Sequence, residues 1–232
     1  MNPRSNLKVL AVEETPLGLL CLRQRESLQR PGLVITEITL DHEFLMSSYV
    51  TDSERALATH ALSMHAGTGL RVLVGGLGLG HTAREVLQSK SVGSLVVVEL
   101  LPQVIGWLKT GLLPLSAELT ADARLELVEG SVYTQLSQAP VQTFDLILID
   151  VDHSPEDNLG TENTDFYTDA GLARAREHLA PGGVLAVWSY ADSSPFADAM
   201  RRVFRDASSV PIRIVNDLID EERVDWLFFG RA

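Results

Sequence analysis

The sequence predicts an α/β fold: a doubly wound, mostly parallel sheet of seven strands, with antiparallel C-terminal strands and a small N-terminal β unit. Three observations predict it. Short apolar runs (RVLV, SLVVVE, RLELV, FDLILID and GVLAVWSY) alternate with helical patterns at a spacing that suits crossover connections. The first run leads at once into glycines and then a helical segment, so a strand, a tight turn and a helix start follow one another from Arg71 to Leu87. The last two runs, Pro211 to Val215 and Asp225 to Phe229, are joined by a stretch too short for a crossover helix and must pair antiparallel.

In chain order, residues 1–50 form the small unit. Its pieces LKVLAV, LGLLCLR, LVITEITL and EFLMSS are separated by turn signals at Thr15-Pro16 and Arg30-Pro31-Gly32, as in an antiparallel meander. Residues 51–232 form the larger domain, opening with a helix from Asp52 to Met64 that carries apolar Ala56, Leu57, Ala61 and Leu62. The parallel strands are expected at 71–74, 94–99, 124–128, 144–150 and 183–190. Helices are expected at 81–87, at 102–108 with Pro102 in the first turn, at 165–179 before the breaker Ala180-Pro181-Gly182-Gly183, and at 195–204.

Composition narrows the function. Nineteen basic against thirty-one acidic residues leave a net charge of −12, which disfavours nucleic acid and anionic membrane as partners and permits a cationic small-molecule substrate. Cys21 is the only cysteine, so neither a disulfide nor a thiolate metal cluster is available. With no apolar run of membrane-span length and no signal-like core at the start, the expected location is cytoplasmic.

The chemistry concentrates where a parallel sheet binds ligands, beyond the carboxyl ends of its strands. Gly75, Gly76, Gly78 and Gly80 form the turn, and Glu99 ends the second strand where a carboxylate can accept from both ribose hydroxyls. Ser131 follows the third strand, and Asp150 ends the fourth. The dinucleotide pattern G-x-G-x-x-G fails because position 81 is His81; the chain supplies G-x-G-x-G instead, which favours an S-adenosyl nucleoside. A turn serving only packing, with Glu99 solvated, is the competing explanation, as turn capping is for Asp150. His81 either faces the ligand or bonds at the helix start, and Trp107, Trp188 and Trp226 are packing residues, Trp188 being near enough to line a pocket.

VLVGGLGLGHTAREVL, VVVELLPQVI, FDLILID and the Pro-Gly-Gly before the fifth strand together resemble the spermidine synthase family of aminopropyltransferases, over about residues 33–230. The resemblance implies a class I methyltransferase-like Rossmann fold and a homodimer. It also implies a bound S-adenosylmethionine relative (the decarboxylated form, or the product methylthioadenosine), with Glu99 on the ribose and Tyr49 and Glu54 on the substrate side. The catalytic positions depart from the family. Gly78 stands where its turn carries an aspartate, Ser131 where an aspartate follows the third strand, and only Asp150 matches the acids after the fourth.

The same loop, IDVDHSPE, resembles small-molecule methyltransferases whose fourth strand ends I-D-x-D-H-S-x-E. On that footing Asp150, Asp152 and His153 are the candidate catalytic residues, and methyl transfer from S-adenosylmethionine to a small acceptor is the leading expectation. A diverged polyamine aminopropyltransferase using decarboxylated S-adenosylmethionine is the first alternative, and a noncatalytic nucleoside-binding protein the second. No metal is expected, because Trp188-Ser189-Tyr190 lacks the acid–amide pair that would complete a site with Asp152 and His153. The long acidic loop from Asp150 to Asp169 is either a lid or a solvated charge run.

Overall fold

The chain begins as four antiparallel strands paired in sequence order, β1 (Leu7–Thr15), β2 (Gly18–Glu26), β3 (Val34–Leu40) and β4 (Glu43–Ser47). The computed structural model describes residues 6–151 and 165–232. Asp152, His153 and the acidic loop through residue 164 lie outside the described residues, so no role expected of them is placed here.

Helix α1 (Asp52–Ser63) follows and buries Leu57, Ala58 and Ala61. The alternation then runs β5 (Leu70–Gly75), α2 (His81–Gln88), β6 (Val92–Glu99), α3 (Pro102–Lys109), α4 (Ser116–Ala121), β7 (Leu125–Glu129), α5 (Val132–Ser137), β8 (Phe144–Ile149), α6 (Asp169–Glu177), β9 (Leu179–Ser189), α7 (Ser194–Val203), β10 (Arg205–Asn216) and β11 (Glu221–Arg231). The second sheet has the order β10-β11-β9-β8-β5-β6-β7. Its strands are parallel except that β11 runs antiparallel to both β9 and β10. This is the doubly wound, seven-stranded arrangement the sequence predicts, with the small antiparallel sheet ahead of it.

Some boundaries moved for identifiable reasons. Helix α6 starts four residues later than expected because residues 165–168 form a turn. Thr168 donates to the Asp165 carbonyl at 2.7 Å and accepts from the Gly171 amide at 3.1 Å, which caps the helix. The breaker at 180–183 interrupts the β8–β9 register, which jumps from Phe144↔Leu179 to Leu146↔Val184. Strands β10 and β11 are about twice their expected length. Proline at 211 is tolerated because β10 is the sheet's edge and needs no partner on its outer side.

Two apolar cores flank the large sheet. One joins Val72, Val74, Leu95, Val97, Leu146 and Leu148 to α1, α2 and α3 and to Leu20, Leu22 and Ile38 of the small sheet. The other joins Leu73, Ile147, Ile149, Leu185 and Val187 to α5, α6 and α7. Because successive residues of a buried parallel strand point to opposite faces, both faces demand apolar side chains, and the runs read as continuous. From β5 the chain moves outward through β6 to β7, then returns to place β8 on the other side of β5. The switch point therefore lies between β5 and β8. No helix among the described residues is long and apolar enough to cross a membrane.

Candidate active site

The glycine turn and the end of β8 meet at that switch point. The Asp150 amide donates to the Gly75 carbonyl at 2.8 Å and the Gly76 amide to the Val98 carbonyl at 2.9 Å, which locks the ends of β5, β6 and β8 together. Gly76 has φ +94°, and a Cβ there would stand 2.1 Å from the Asp150 carbonyl oxygen. Only glycine fits a left-handed residue so close to another backbone.

Glu99, 7% exposed, is folded inward over this turn. Its two carboxylate oxygens accept from the Leu77 and Leu101 amides, each at 2.8 Å. Burial raises its pKa, and the backbone donors, Gly78 and Leu100 among them, oppose the rise. The carboxylate thus shapes the turn as well as facing the rim, a structural role that its strand-end position alone did not reveal. Next to it, the Gly130 amide donates to the Glu99 carbonyl at 2.9 Å, and the Ser131 hydroxyl caps α5 by accepting from the Thr134 amide at 3.3 Å.

A cleft of about 440 Å³ opens on the other side of the turn. Of the predicted site residues, Tyr49, Glu54, Gly78, Gly80 and Asp150 line it, whereas Gly75, Gly76, Glu99 and Ser131 do not. His81 and Trp188 line it too, so His81 faces the cleft. Its Nε2 has no partner among the described residues, and burial, aided by Arg84 and Arg55, lowers its pKa to about 4, which keeps the ring neutral. Tyr49 spans from the small sheet to the turn between β10 and β11. Its hydroxyl donates to Asp217, and Arg30 donates to both Tyr49 and Asp217.

Gly78, where the resembled family carries an acid, is filled from outside. A Cβ at this residue, whose φ is +49°, would lie 2.5 Å from Sδ of Met46, so β4 of the small sheet occupies the place of a side chain. Acid instead gathers on the floor beside it. Asp150 and Glu54 are half-buried neighbours, and the Thr82 hydroxyl donates to Asp150 while lying 3.4 Å from the Glu54 carbonyl. Behind them is Asp225, fully buried, with Oδ1 accepting from Arg223 Nε at 3.1 Å and Oδ2 without a partner among the described residues. Burial and then the Asp150 charge push Glu54 up to about 8. Burial pushes Asp150 up to about 6, against the Thr82 hydrogen bond and with the Asp225 charge. Burial and mutual repulsion thus both favour a proton on the pair.

Thr82 and Asp225 escaped the sequence reading. Thr82 is an ordinary first-turn threonine until β8 is placed next to α2. Asp225 carried a signal, a lone acid at an inward position of the apolar run VDWLFF.

The proton on Glu54 has a stability consequence. Its pKa is raised in the folded chain, so folding is favoured by protonation and weakens as pH climbs from about 4.5 toward about 8. Between pH 6 and 9 this group costs roughly 2–3 kcal/mol. Glu54→Gln should remove that cost. In thermal unfolding across this range the wild type should lose roughly 5–10 °C more than the variant, and equal losses would refute the assignment.

The comparisons fit this geometry. A family model described as Spermine/spermidine synthase domain matches residues 52–198. The polyamine aminopropyltransferase of Ruegeria sp. is 32% identical over 131 residues, 56% of this chain and 43% of the relative. Polyamine aminopropyltransferase 2 of Streptomyces coelicolor is 32% identical over 133 residues, 55% of this chain and 23% of the relative. The chain thus spans less than half the length of either. In fold, spermidine synthase from Thermotoga maritima superposes with a TM-score of 0.75 at 18% identity, covering 97% of this chain and 72% of that one. A spermidine synthase solved with the transition state analogue AdoDATO gives the same TM-score at 20% identity, covering 97% and 73%. The family match runs from the first turn of α1 into α7, taking in the glycine turn, Glu99 and Asp150: this chain belongs to the spermine/spermidine synthase family.

Proposed function

We propose that the chain transfers the aminopropyl group of decarboxylated S-adenosylmethionine to a small amine. The observation that carries this reading is the Asp150–Glu54 pair, half-buried carboxylates beside the glycine turn whose nearest acidic neighbour, Asp225, adds further negative charge. Such a site calls for a cation, and an amine acceptor brings one. The relatives named aminopropyltransferases support the same reading. Methyl transfer, the leading expectation from the IDVDHSPE loop, draws no support from them, and most of that loop lies outside the described residues.

The rim suits the donor's nucleoside. Gly76 and Gly78 bring backbone to the surface where no side chain fits, and Glu99 is the carboxylate for the ribose, with Gly75, Gly80 and Ser131 framing the remainder. The donor supplies a sulfonium whose departure as a thioether drives the transfer. The chain's own part is to hold and deprotonate the acceptor. Asp150 takes one proton from the acceptor ammonium, the freed nitrogen bonds to the aminopropyl carbon next to sulfur, and the carbon–sulfur pair stays on sulfur, releasing methylthioadenosine. Glu54, protonated at neutral pH, donates rather than competes, and Thr82 fixes the Asp150 carboxylate.

Incubation with decarboxylated S-adenosylmethionine and putrescine should release methylthioadenosine, read by chromatography. Glu99→Ala should weaken donor affinity about 10–100-fold through loss of charge-assisted hydrogen bonds. Release of S-adenosylhomocysteine from intact S-adenosylmethionine, with no methylthioadenosine from the decarboxylated form, would overturn the proposal.

A further inference from the structure

The cleft that holds the acid pair is also lined by two arginines that polyamine binding does not explain. Arg25 of β2 and Arg223 of β11 both line it. Each is anchored through Nε to a buried carboxylate: Arg25 to Glu37 at 2.5 Å, and Arg223 to Asp225 at 3.1 Å. Glu37, 3% exposed, also holds Arg23 at 2.9 Å, so two guanidiniums share one carboxylate and positive charge is in excess there. The terminal nitrogens of Arg25 and Arg223 have no partner among the described residues, and their side chains keep 33% and 45% of their exposure. A guanidinium whose Nε is pinned has lost most of its freedom before any ligand arrives, and its outer nitrogens form the planar fork that matches a carboxylate. Glu221, the remaining acid of the lining, is exposed at the end of β11.

The cleft is therefore amphoteric, with paired carboxylates at the glycine turn and pre-positioned guanidiniums in the same lining. A linear diamine would satisfy the first and present its second ammonium to the arginines. We infer that the acceptor is an amine that also bears a carboxylate, the amine at Asp150 and Glu54 and the carboxylate at Arg25 and Arg223. This rests on the transferase reading for its chemistry, though not for its binding test.

Ornithine and putrescine differ by one carboxylate and isolate the effect. Calorimetric titration with methylthioadenosine present should show ornithine bound at least about tenfold more tightly than putrescine, about 1.4 kcal/mol. The ratio should fall toward one in Arg25→Gln and in Arg223→Gln, and stay intermediate in the lysine variants, which keep the charge and lose the fork. Thermal unfolding identifies which variants are folded, and the wild-type ratio alone already decides. Putrescine binding as tightly as ornithine would overturn the inference even if methylthioadenosine release were normal. Conversely, ornithine preference without any aminopropyl transfer would uphold the carboxylate site and sink the transferase reading. A preference for intact S-adenosylmethionine over its decarboxylated form that vanished in the same variants would assign the arginines to the donor and overturn the acceptor assignment.

Discussion

Asp150→Asn should lower kcat for aminopropyl transfer by about 10²–10⁴-fold, the range general-base removal produces, while leaving methylthioadenosine affinity within about threefold. The substitution is nearly isosteric, and its amide oxygen still accepts from Thr82, so geometry survives while proton acceptance does not. Removing the Asp150 charge also lets Glu54 ionise more easily, so the variant should unfold at the same temperature as the wild type or higher. The wild-type profile supplies a second check. With Asp150 pushed up to about 6, the active form is the ionised one, and kcat/KM should fall as pH drops below about 6. Wild-type turnover by the variant would remove Asp150 from the mechanism.

Gly76→Ala should cost about 3 kcal/mol or more and abolish nucleoside binding. Two penalties coincide there: a left-handed backbone, and a Cβ 2.1 Å from the Asp150 carbonyl. Neither side can yield, because the hydrogen bonds from Asp150 to Gly75 and from Gly76 to Val98 tie both backbones into the sheet. At roughly 2–4 °C per kcal/mol the melting temperature should drop by about 10 °C. Gly182→Ala is the internal comparison. Its φ is +77° but nothing lies within 4 Å of the added atom, so only the backbone penalty of about 1 kcal/mol should appear. Equal losses in the two variants would show that crowding at the turn is not the source.

How legible these features were from sequence depended on how many neighbours each residue answers to. The parallel strands are buried on both faces, so runs such as FDLILID announced themselves. Strand β10 shows Arg213 and Ser208 to solvent, and only its middle looked strand-like. Helices α4 and α5 are six residues each, too short for a helical period to show. At the site, Glu99 and Asp150 could be read because each ends an apolar run. Glu54 came from family resemblance alone, since nothing in DSERALATHALS marks it as buried beside another acid. Thr82, Asp225, Arg25 and Arg223 became visible only when α2, β2 and β11 were set around one cleft. Gly78 reads in sequence only as a missing acid, and the fold alone shows that Met46 packs where a side chain would stand.

That contact divides the labour of the molecule. The glycine turn proposed to hold the donor follows β5, whereas other parts of the cleft lining come from the small sheet and the C-terminal hairpin, clasped together by Tyr49, Arg30 and Asp217. On the proposed function, mutations in β2 or β11 should retune which amine is accepted while leaving the glycine turn in place, whereas β4 touches that turn through Met46.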